Sequence, residues 1–133
     1  MPPPSELARA TKAVERLVKE ESFYRAELAK QQDRVRQLAA EIENATDPST
    51  LDTNAEYVLK QESRAVLETK AVFRPLQQHT SELTADLQEL IARYEREAAP
   101  TATQTDELEK ARAVARTGQT AIAKDLTDMD PTE

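Results

Sequence analysis

A nucleophile, a general base or a metal site would have to come from a short inventory in this sequence. It holds one histidine, His79, and no cysteine or tryptophan. Without cysteine there is neither a disulfide framework nor a thiolate metal site, and no ligand spacing matches a metal-binding pattern. His79 lies on a charged helical stretch, where an imidazole is simply solvated. The 25 Asp and Glu residues alternate with Lys and Arg at helix-surface spacing. Pairs of that kind support a helix by ~0.2–0.5 kcal/mol each, which accounts for them without an acid/base dyad. Gly118 is the single glycine, so a glycine-rich phosphate loop cannot form. The expectation is a protein that is not an enzyme and uses no cofactor or metal.

What remains is surface chemistry. Arg9, Lys12, Arg16 and Lys19 occur in turn at spacings of 3, 4 and 3, so they share one outward helix face. Such a face is either ordinary solvated surface or a docking surface for an acidic partner. Phe23 comes one turn further on, beside the apolar seam and not on it. Tyr57 and Leu67, with Arg64 between them, hold similar places on the second helix. Large apolar groups next to basic ones make a partner-binding patch, unless a third helix covers them.

The elements that carry these residues are set by the hydrophobic period. Ser5 is a good N-cap, and the prolines before it cannot extend a helix backwards. From there Leu7, Val14, Glu21, Leu28, Val35 and Ile42 interleave with Ala10, Leu17, Tyr24, Gln31 and Leu38, a seam of coiled-coil type. Glu21 and Gln31 interrupt it, either to fix register or because the seam meets water there; the second is expected. The stretch "NATDPSTLDTN" breaks the pattern, and Thr53 or Asn54 can cap the second helix. Leu59, Val66, Phe73, Thr80, Leu87 and Tyr94 then interleave with Glu62, Thr69, Leu76, Leu83 and Leu90. This alternation crosses Pro75 in phase. A helix that stopped and restarted would have no reason to keep register, so one helix bent at Pro75 is expected. After "AAPTATQ", Thr105 or Asp106 is expected to cap a third helix with Leu108, Ala111, Ala115, Ile122 and Leu126 inward. Gly118 should weaken it near "RTGQT".

The fold class is therefore all-α: an antiparallel three-helix bundle with two long coiled-coil-like helices and a shorter third. Residues 1–133 form a single helical domain, with helices at about 5–44, 54–97 and 105–126 and a loose acidic tail over 127–133. The third helix covers only part of the seam, and the rest is a two-helix stalk. Composition agrees: aromatics make up 4% and charged residues 32%, typical of long helices. The net charge of −7 disfavours nucleic-acid binding. No run approaches the ~18 apolar residues of a membrane span and the start is not a secretory signal. A soluble intracellular protein is expected.

Three stretches, "RLVKEESFYRAELAKQQDRV" (16–35), "YVLKQESRAVLETKAVFRPL" (57–76) and "LEKARAVA" (108–115), resemble the tubulin-binding cofactor A family. The proline-rich start, Gly118 and the acidic tail depart from its pattern. The resemblance implies an antiparallel three-helix bundle that captures β-tubulin, an acidic-surfaced partner, after its release from the cytosolic chaperonin. It holds β-tubulin for α/β heterodimer assembly without nucleotide or chemistry. It also implies a cytoplasmic, cytoskeleton-associated location. Composition and heptads alone equally allow a generic coiled-coil scaffold or adaptor, which would self-associate through the long seam and ignore tubulin.

Overall fold

The structure is a computed structural model that describes residues 5–47, 49, 53–97 and 101–130. The expected breaks at Pro48 and Pro100, the proline-rich start and residues 131–133 lie outside the described residues. Among the described residues three α-helices occur in order, α1 (Glu6–Glu43), α2 (Ala55–Glu95) and α3 (Ala102–Ile122), then a short 3-10 turn, Thr127–Met129.

Ion pairs at both ends give the directions. Arg93 near the end of α2 reaches Glu6 at the start of α1 at 2.8 Å, and Arg34 late in α1 reaches Glu62 early in α2 at 3.2 Å. The two long helices are thus antiparallel. Arg112 of α3 meets Glu95 of α2 at 2.9 Å, so the chain turns back again. Ser5 caps α1 by accepting from the Ala8 N–H, and the same hydroxyl donates to Glu107 of α3 at 3.0 Å.

α2 runs through Pro75 as one helix, as the unbroken phase requires. The third helix starts earlier than its expected cap. Thr101 is the N-cap, and it forms a reciprocal capping box with Gln104, which satisfies two otherwise orphan N–H groups. Thr105, the expected cap, instead donates its hydroxyl to the Thr101 carbonyl.

Two apolar clusters hold the bundle. One joins all three helices through Leu7, Val14, Leu87, Ile91, Leu108, Ala111, Val114 and Ala115. The other joins Leu28, Val66 and Phe73 to Leu126 and Met129, which come after α3. The buried residues of α1 end at Leu28 and those of α2 begin at Val66. Beyond them the two helices form the expected stalk, with Val35, Leu38, Ile42 and Leu59 half-buried.

Gly118 corrects one expectation. It is buried in the last two turns of α3, and the helix continues through it to Ile122 without the expected fraying. A Cβ there would lie 2.5 Å from Thr84 Oγ1 of α2 and 3.1 Å from Val14 Cγ1 of α1. The helices meet too closely at this level for any side chain, so glycine's low helix propensity is offset by the packing it permits.

The tail corrects another. As far as Asp130 the chain is not loose: Met129 is 7% exposed, and Leu126, expected inward, is 6% exposed. The helix ends at Ile122, so Leu126 packs inward from outside it. Gln77 donates to the Lys124 carbonyl at 2.9 Å, and Arg74 pairs with Asp130 at 2.6 Å.

Candidate partner-docking surface

Arg9, Lys12, Arg16 and Lys19 all stand exposed on α1. The buried stripe dictates their positions: Leu7, Thr11, Val14, Leu17 and Glu21 take the inward face, which leaves these four on the opposite side. Among the described residues no carboxylate comes within ion-pairing distance of any of them. They line a shallow open groove with Ala13 and Glu15. Phe23 continues the stripe and is 63% exposed, its ring held edge-on to Tyr24 at 5.6 Å. The third helix does not cover it. The exposed ring is an apolar contact beside a row of cations that have no carboxylate partner among the described residues.

Tyr57 is likewise uncovered at 64% exposure, Arg64 is exposed and Leu67 half-buried. Tyr57 does not join the α1 group. The pairing of Arg34 with Glu62 puts it level with the last third of α1. At 1.5 Å per residue, Tyr57 is roughly 25 Å along the bundle from Phe23 and further from Arg9, whereas Leu67 is only about 9 Å along from Phe23. The residues singled out on α2 therefore trail away from the α1 group towards the stalk.

Sequence reasoning misses a junction where all three helices meet. Glu21, expected to face water, does not. Its side chain is 10% exposed, and it accepts from Arg25 of its own helix and, through both oxygens, from Lys124 Nζ at 3.1 Å. Burial alone pushes the Glu21 carboxyl up; the hydrogen bonds and charges of Arg25 and Lys124 outweigh it and hold the group below its ordinary value. The Arg25 guanidinium also lies over the Phe73 ring, 5.3 Å from its centroid. The heptad break at Glu21 is the available signal, but its partner is 103 residues away in sequence. Gln31, the second break, is half-buried, and its Oε1 has no hydrogen-bond partner among the described residues.

His79 is exposed. Among the described residues no group of three His, Cys, Asp or Glu side chains is arranged to hold a metal ion, and no helix is long and apolar enough to cross a membrane. The geometry is that of a slender three-helix bundle with basic and aromatic groups exposed on α1. The profile of one family, tubulin binding cofactor A, matches residues 2–115. The chain belongs to the tubulin binding cofactor A family. No curated protein and no solved structure matches it.

Proposed function

We propose that this chain is a tubulin-folding chaperone that captures β-tubulin one to one in the cytoplasm and holds it for assembly of the α/β heterodimer. It works by mass action, stabilising the captured state in proportion to its occupancy, with no catalysis or nucleotide. Family membership supports tubulin as the partner. The observation that carries the docking reading is the row Arg9, Lys12, Arg16 and Lys19, unpaired within the described residues and ending at exposed Phe23. Rim cations steer an acidic partner and set the association rate, while a buried aromatic governs release.

The experiment is capture kinetics with purified β-tubulin at two salt concentrations. Charge reversal at Arg16 and Lys19 together should slow capture and flatten its salt dependence. Phe23→Ala should speed dissociation and leave helicity unchanged. If both variants fold and match the parent, docking uses another face, and the patch of Tyr57, Arg64 and Leu67 is next. That end also favours a second reading. Exposed Tyr57 and Val58 on a stalk without buried residues among the described ones suit a coiled-coil scaffold that pairs with its own copy.

A further inference from the structure

Residues 123–130 leave α3 as a strap folded around the 3-10 turn Thr127–Met129, beyond the family match that ends at Ala115. The strap lies over the groove between α1 and α2 where α3 no longer reaches. Leu126 and Met129, three residues apart, sit in the cluster of Leu28, Val66 and Phe73. Asp130 accepts from Arg74 Nε at 3.0 Å and Nη2 at 2.6 Å. Lys124 closes the other end on Glu21. Asp125 folds the strap locally by accepting from the Thr127 N–H at 2.9 Å. Without the strap, Phe73 would present an apolar floor flanked by two guanidiniums, Arg25 over its ring and Arg74 beside it.

We infer that this groove is a second docking site, for an acidic segment of the partner carrying two apolar side chains three residues apart, and that the strap occupies it in cis as an autoinhibitory latch. The strap itself is the observed ligand, and its chemistry states what the groove accepts: Leu126 and Met129 for the floor and Asp130 for Arg74. A cis segment competes at an effective concentration set by its short tether, so a partner meets only the open fraction. The strap's pair with Arg74, through Asp130, is largely exposed, and exposed pairs of this kind hold weakly, whereas its Lys124 end is held on the largely buried Glu21 carboxylate. The latch can therefore be displaced from its Asp130 end.

This inference rests on tubulin as the partner, so its test has one arm without tubulin. The latch-open protein is the full chain carrying Leu126→Ser and Met129→Ser, with helicity and melting checked against the parent. The probe is a synthetic peptide of residues 123–130, titrated at millimolar concentration into isotope-labelled protein. Amide signals of Leu28, Val66 and Phe73 should shift in the latch-open chain and stay fixed in the parent. Adding Arg74→Glu should abolish the shifts, and a peptide with Asp130→Arg should restore them. In the second arm the latch-open chain should capture tubulin severalfold faster than the parent. The peptide, but not a scrambled one, should slow it again. No peptide shift in a folded latch-open chain overturns the site. Peptide binding without any effect on capture overturns its use by the partner. Failure of the parent itself to capture tubulin would instead count against the proposed function.

Discussion

Gly118→Ala makes the sharpest test of how the helices pack. On an exposed helix this change stabilises by ~1 kcal/mol, because alanine propagates a helix better than glycine. Here the new methyl would meet Thr84 Oγ1 at 2.5 Å, Thr84 Cγ2 at 3.2 Å and Val14 Cγ1 at 3.1 Å. All three belong to short β-branched side chains, which are stiff at χ1, and both residues are 0% exposed. Neither can swing aside into solvent. Overpacking of this kind costs ~1–3 kcal/mol, which exceeds the propensity gain. The net effect should be a loss of ~1 kcal/mol, or a melting temperature lower by about 3–5 °C for a chain of this size. Thr84→Ala removes both Thr84 atoms in the way. It also removes a buried hydroxyl that has no hydrogen-bond partner among the described residues, an arrangement that costs ~1–3 kcal/mol. In that background Gly118→Ala should become stabilising. The assay is a double-mutant cycle by urea unfolding monitored by circular dichroism. If Gly118→Ala alone stabilises the chain, or if its effect is the same in both backgrounds, the close approach of α3 to α2 is wrong.

The same packing and pairing set four further outcomes. Phe73→Ala removes a ring that is 1% exposed and supports the strap, so it should cost ~3–5 kcal/mol; an unchanged urea midpoint would refute its place in the core. Leu87→Ala, at 0% exposure, should cost ~2–5 kcal/mol by the same measurement. Pro75→Ala gives the Ala71 carbonyl a donor that proline lacks, so the variant should fold and melt higher; a lower melting temperature would contradict a continuous helix. Glu21 has a folded-state pKa below its ordinary value, so its stabilising pairs are complete above about pH 5 and lost as pH falls through and below the carboxylate range. Glu21→Gln should flatten that limb of the stability profile, and an unchanged limb would show that the junction does not hold.

Local patterns carry most of the helices. The seams through Leu7 and Leu59 repeat often enough to set helix type, facing and continuity across Pro75 from the sequence alone. The basic row on α1 is legible for the same reason: once the inward face is known, the outward one is too. The start of α3 is misplaced because Thr101 and Thr105 are both competent caps, and only the reciprocal bond with Gln104 separates them. Gly118 and Glu21 are misjudged for a different reason. Their surroundings come from Thr84, Val14 and Lys124, which no window along the chain contains. The strap escapes because Leu126, read correctly as inward, is taken for a continuation of the helix, and Met129 alone carries no period; its burial exists only where α3 leaves a groove open.

The central claim is one-to-one capture of β-tubulin, and sedimentation velocity on mixtures of this chain with purified tubulin subunits tests it most directly. The account predicts a single species containing one copy of each with β-tubulin, weakened by added salt, and no such species with α-tubulin. A chain that sediments as its own dimer and leaves β-tubulin free at every ratio would contradict it.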